Sequence, residues 1–114
     1  VTAVRFTPAR AVAAALVAAA AIQFVPVGRD NPPVSFEVDA PAEVRGILER
    51  ACYDCHSNRT RWPWYGRVAP ASWLVARDVR RGRDDVNFSE WPAFDFEEQE
   101  QALADIAKQL DRGR

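Results

Sequence analysis

Apolar positions fall into separate patterns along this chain, and each predicts an element. Ala11 to Ile22 is an unbroken, alanine-dominated apolar run that follows Arg5 and Arg10; Gln23 interrupts it before Phe24-Val25-Pro26-Val27. As a helix, Ala11 to Val27 extends about 25 Å at ~1.5 Å per residue, the lower limit for crossing a bilayer. Arg29 to Val38 has no helical period and contains Asn31-Pro32-Pro33, the pattern of an extended linker. Asp39, Pro41 and Glu43 are start signals for a helix carrying Val44, Ile47, Leu48 and Ala51, which runs into Cys52. Ser57 to Ala69 breaks the period at Pro63 and Gly66 and predicts a loop. Pro70 opens a second helix through Trp73, Leu74, Val75 and Val79 that stops at Gly82. Asp84 to Phe94 is irregular, with Phe88 and Trp91 as candidate buried aromatics. Asp95 and Glu98 have capping-box spacing before a last helix faced by Leu103, Ile106, Ala107 and Leu110. No segment alternates long enough to be a strand. The predicted fold is all-α: a hydrophobic N-terminal helix (residues 1–28), a linker (29–38) and a small three-helix domain with long loops (39–114).

The N-terminal run admits three readings: an uncleaved anchor, a cleaved export signal with a cut near Ala18–Ala21, or an alanine-rich core helix. The anchor is preferred, because cleavage there leaves a very short apolar region. Arg5 and Arg10 before the run, against Arg29 paired with Asp30 after it, place the N-terminus inside. The remainder then faces the periplasm of a bacterial inner membrane; after cleavage it is a secreted periplasmic domain.

Charge changes the picture little globally and more locally. Fifteen Lys and Arg against sixteen Asp and Glu leave a formal net charge of −1, which gives no general attraction to nucleic acid. Arginines crowd Arg59 to Arg83, whereas Glu90 to Asp105 is acidic. Arg77, Arg80, Arg81 and Arg83 are most simply a solvated helix face, or a docking patch for an acidic redox partner. Small size limits the core that side chains alone supply, so a bound cofactor would add to it.

The two cysteines and the single histidine of the chain fall together in Cys52-Tyr53-Asp54-Cys55-His56. CxxCH in an exported chain has the spacing for covalent haem attachment, two thiols to porphyrin vinyl groups and a histidine beside them for the iron. Three alternatives are weaker. Chance placement is a narrow coincidence. A thiol–disulfide oxidoreductase sets CxxC at a helix start after a strand, whereas here the motif follows a helix. A structural zinc site needs four ligands, and only three of the usual type are present. His56 is expected as the proximal ligand, its second ring nitrogen donating to a backbone carbonyl between Val68 and Pro70 or to solvent. The chain contains no methionine, even at position 1, so the distal ligand is open. Lys108, Tyr53 and Tyr65 are the conceivable ones, and five-coordinate or water-bound iron is expected. Trp62, Trp64, Tyr65 and Trp73 suit packing against a porphyrin or an ordinary core cluster, and Arg59, Arg61 and Arg67 suit its propionates.

From Cys52 to Trp91, and upstream through Ile22-Gln23-Phe24-Val25-Pro26-Val27 and Asn31-Pro32-Pro33, the chain resembles the bacterial haem-binding domain family of small, membrane-anchored c-type cytochromes. CxxCHSN with WPWY carries the likeness. It implies a cytochrome c-like haem domain, one haem c, and an N-terminal segment that is kept. Family members continue into a Met-Pro-Pro segment and a further short helix, so this chain is expected to be a truncated product or a fragment, without that segment's methionine as distal ligand. The expected function is electron transfer by an anchored, periplasmic monohaem protein to a redox partner or membrane electron-transfer chain, with no nucleic acid and no enzymatic activity. A haem-based sensor or ligand-binding module is the main alternative, and a CxxC oxidoreductase the next. A small peroxidase ranks last, because His56 is already committed to iron.

Overall fold

The computed structural model describes residues 7–113. All regular structure among them is helical: α1 (Pro8–Ala21), α2 (Ala42–Ala51), α3 (Tyr53–His56), α4 (Ala71–Asp85) and α5 (Phe96–Asp111), with 3-10 turns at Ile22–Phe24, Trp64–Arg67 and Phe88–Ala93. The all-α expectation holds. Arg5, part of the basic start inferred above, lies outside the described residues. The chain divides into two compact units, one of residues up to Arg29 with Pro63–Ala76, the other of Asp30–Trp62 with Arg77 onward.

In the first unit, Thr7 caps α1 by accepting from the Arg10 N–H, and Pro8 supplies a preset φ at the first turn. The α-helix ends at Ala21 and tightens into the 3-10 turn, and Val25 before Pro26 is extended. The continuous helix to Val27 is therefore not formed. At 14 residues α1 is about 21 Å long, and no helix of the described residues is long and apolar enough to cross a membrane. Every residue of α1 is exposed. Gln23, the polar residue that breaks the run, uses its side-chain amide as a backbone group would. Its Nε2 donates to the Ala69 carbonyl (3.1 Å), and its Oε1 accepts from the Ala69 N–H (3.0 Å). Arg29 donates to the Gly66 carbonyl at 3.2 Å. The Ala69–Pro70 peptide is cis.

In the second unit, α2 stops at Ala51 and Cys52 takes a non-helical conformation (φ −123°, ψ −37°). A new single turn, α3, follows from it, with the Cys52 carbonyl accepting from the Cys55 and His56 N–H groups. The motif is thus a separate turn after a kink, where a continuing helix end was expected. Helix α4 runs past Gly82 to Asp85 rather than stopping there. Gly82 serves a different end: a Cβ on it would lie 2.4 Å from the Cys55 carbonyl oxygen, so hydrogen at this position lets α4 cross the α3 turn. Tyr53, Val79 and Phe88 are the buried apolar side chains here. Phe88 stacks between Tyr53 (centroids 5.7 Å) and Trp91 (5.8 Å). The Asp95–Glu98 capping box is present in both directions. The face it launches is not buried, however: Leu103 is 56% and Leu110 68% exposed. Val44 and Ile47 on α2 are likewise exposed.

Candidate functional site

The site is built on α3. Cys52 and Cys55 are free thiols, each half-buried. Burial pushes both thiols up in pKa, and the Asp54 and Asp78 carboxylates push Cys55 further the same way. Neutral thiols are poor thiolate nucleophiles, which disfavours disulfide exchange as the task of this CxxC. No group of three or more His, Cys, Asp and Glu side chains among the described residues is placed to hold a bare metal ion.

His56 Nδ1 lies 3.1 Å from the Val86 carbonyl oxygen. A carbonyl only accepts, so Nδ1 carries a proton, and the tautomer this bond selects has its lone pair on Nε2. The acceptor expected between Val68 and Pro70 is corrected to Val86, just beyond α4; the Ala69 carbonyl is taken by Gln23. The Phe88 ring meets His56 edge-on at 6.5 Å.

A buried polar network holds this arrangement. Asn58 donates its backbone N–H to Ser89 Oγ (2.9 Å) and its side-chain amide to the Pro33 carbonyl (3.1 Å). Asn87 donates to Asn58 Oδ1 (2.8 Å) and accepts from the Ser89 N–H (3.0 Å). Asn58, Asn87 and Ser89 are all buried, so these bonds satisfy groups that would otherwise be costly to bury. The segments following His56 and Val86 are thereby stitched together. Ser57, wholly buried, donates to the Tyr53 carbonyl at 2.7 Å.

Arg83, expected on a solvated face, is instead half-buried and donates to the Ser57 and Asp30 carbonyls, Asn31 Oδ1 and Thr60 Oγ1. Together with Asn31 to the Thr60 carbonyl and Asn58 to Pro33, it fastens the start of the extended stretch beside the residues after His56. Arg77, Arg80 and Arg81 are exposed. Nothing in the sequence pattern separates Arg83 from them, apart from its spacing one residue after Gly82.

Among the other expected site residues, Arg59 is ion-paired with Glu37. Arg61 grips Asp54 through Nε (3.0 Å) and Nη2 (2.8 Å), and its own N–H donates to the same carboxylate. That grip holds the Asp54 carboxyl below its usual pKa. Both guanidiniums are thus engaged by carboxylates of the chain itself. Trp62 is half-buried, and its Nε1 is buried with no hydrogen-bond partner. Trp64 and Tyr65 belong to the first unit, edge to face at 5.7 Å. Arg67 and Trp73, also in the first unit, are exposed.

The donor set fits haem. It offers two neutral thiols one helical turn apart, an imidazole with a free Nε2, and an indole N–H suited to a carboxylate such as a propionate. The helical fold and this donor set suit a haem protein. A family model described as the haem-binding domain matches residues 17–114, and the chain belongs to that family, with haem as its cofactor. No curated protein and no solved structure matches it.

Proposed function

We propose that the chain holds one haem covalently, through thioethers at Cys52 and Cys55 with His56 Nε2 on the iron, and works as an exported, membrane-anchored electron carrier. The observation that carries this reading is the His56–Val86 hydrogen bond on the CxxCH turn. It selects the tautomer that ligates through Nε2 and raises its basicity as a ligand. Bound there, haem supplies one-electron exchange between Fe(III) and Fe(II). The chain's residues hold and orient it: the α3 turn presents the thiols and imidazole on one short segment, and Val86 fixes the ring. The buried, unpartnered Nε1–H of Trp62 would suit a carboxylate such as a propionate. Attachment converts each thiol S–H and a porphyrin vinyl C=C into a C–S bond and a new C–H, with no net oxidation.

Export and anchoring rest on the basic start and on α1. With the 3-10 turn after it, α1 reaches about 27 Å at ~1.5 and ~2.0 Å per residue, slightly below a hydrocarbon core of ~30 Å. A short span of that kind draws flanking residues toward the interface.

The test is expression of the full chain in a periplasm equipped for c-type maturation, followed by haem staining after denaturing electrophoresis. Haem should remain with the wild-type chain and be lost from the Cys52→Ala, Cys55→Ala double variant. Haem that dissociates from the wild type on denaturation refutes covalent attachment. Rapid carbon monoxide binding to the reduced protein would instead favour a sensing or ligand-binding role over electron transfer.

A further inference from the structure

The first unit contains features that the proposed attachment through Cys52, Cys55 and His56 does not call on. Helix α1 is apolar and exposed on all sides, a pattern found in helices surrounded by protein core or by lipid. Directly after it, Gln23–Val27, Arg29, Arg67, Ala69 and Ser72 line an open cavity of about 270 Å³. Two guanidiniums and the buried Ser72 therefore border one recess. In the same unit large side chains stay in solvent: Phe24, which lines the cavity, is 87% exposed, Trp64 78%, Tyr65 46% and Trp73 38%. The two chain segments act as one body, because Gln23 pairs with both backbone groups of Ala69 and Arg29 with Gly66.

We infer that this unit is a seat at the membrane–water interface, in which Arg29 and Arg67 take the phosphate of an anionic phospholipid headgroup beside the end of α1. The inference rests on the anchored reading above. Three observations converge on it. Exposed Trp, Tyr and Phe side chains are costly in water but favoured at headgroup depth, where an amphipathic ring has one wet and one apolar side. Arginine is the side chain best matched to phosphate, through its planar fork of N–H donors. And a helix of α1's length stays in register with a bilayer only if the residues after it lie at the bilayer surface.

The test uses the full haem-loaded chain and vesicles of phosphatidylcholine, with or without phosphatidylglycerol. Wild-type protein should partition preferentially to the phosphatidylglycerol vesicles, and salt should weaken the preference. The Arg29→Gln, Arg67→Gln double variant should lose about twentyfold of it, and Arg67→Gln alone about fivefold. Arg67→Gln guards against misfolding, since this side chain is exposed. Retained lipid preference in both variants overturns the inference. So does an unchanged preference accompanied by a shifted haem potential, which would assign the arginines to the propionates. Leu16→Glu tests the anchor separately. If it leaves binding to both vesicle types intact, α1 is not what enters the bilayer, whereas its release from both with arginine-dependent selectivity in the wild type supports both readings.

Discussion

Asn87 touches neither thiol nor imidazole, yet it follows Val86 directly and is locked on both sides of its amide by Asn58 and the Ser89 N–H. Asn87→Ala leaves Asn58 Oδ1 and the Ser89 N–H buried without partners. The expected cost is about 2–3 kcal/mol, measured as a lower urea midpoint at unchanged slope. In the haem-loaded protein, added imidazole should displace His56 ~10-fold more readily, as is usual when a residue supporting a ligand's hydrogen bond is lost. The Asp54–Arg61 pair gives a pH signature. Asp54 has a folded pKa below its unfolded value, chiefly through the Arg61 side-chain hydrogen bonds. It therefore stabilises the fold above the unfolded pKa, and this contribution fades as pH falls below about 4. Asp54→Asn should flatten the acid limb of stability against pH while changing the neutral value little, because the pair is largely exposed.

At the scale of elements, the crossing of α3 and α4 hinges on one hydrogen atom. Alanine at Gly82 would gain about 1 kcal/mol of helix propensity. It would also drive a methyl group into the Cys55 carbonyl at 2.4 Å, and that oxygen is backbone and cannot swing away. Overpacking of this kind costs about 1–3 kcal/mol. Gly82→Ala should thus lower stability on balance and reduce the yield of haem-stained chain, whereas Gly46→Ala, which faces only the flexible end of Arg50, should not. The contrast shows which elements were legible in the sequence. The starts of α2, α4 and α5 are set by local chemistry at Pro41, Pro70 and the Asp95–Glu98 box, and the pattern locates them closely. Gly82 has the local look of a helix stop. Its real role depends on a carbonyl 27 residues earlier in the numbering, and no periodicity reports that. Val86 and Arg83 were missed for the same reason, since their partners lie 30 and 26 residues away. The CxxCH itself was legible because its chemistry is compressed into one turn.

Each unit has a thin apolar core: Ala69 and Ala76 are the buried hydrophobic side chains of the first, and Tyr53, Val79 and Phe88 those of the second. The amphipathic faces of α2 and α5 remain in solvent. A ligand that binds only the folded chain raises its stability by mass action, and a covalent one cannot be diluted away. The haem-loaded protein should therefore melt well above the Cys52→Ala, Cys55→Ala variant, and the variant should melt over a broader range, as followed by circular dichroism. Equal melting temperatures would mean that the helices gain nothing from the cofactor.

The hydrogen bond between His56 and Val86 also imposes an order in time. The α3 turn closes on itself, since its bonds run from Cys55 and His56 back to Cys52, so it can form as soon as residue 56 has been made. The carbonyl that orients the imidazole belongs to a residue 30 positions later. On the proposed export the chain crosses the membrane from its anchored end, so the motif reaches the outer compartment before that carbonyl does. On the proposed attachment, the cysteines therefore pass through an interval in which the turn exists and its histidine is still free to rotate. A maturation apparatus acting in that interval would meet a short flexible peptide rather than a folded domain, and Val86 would lock the ring only afterwards.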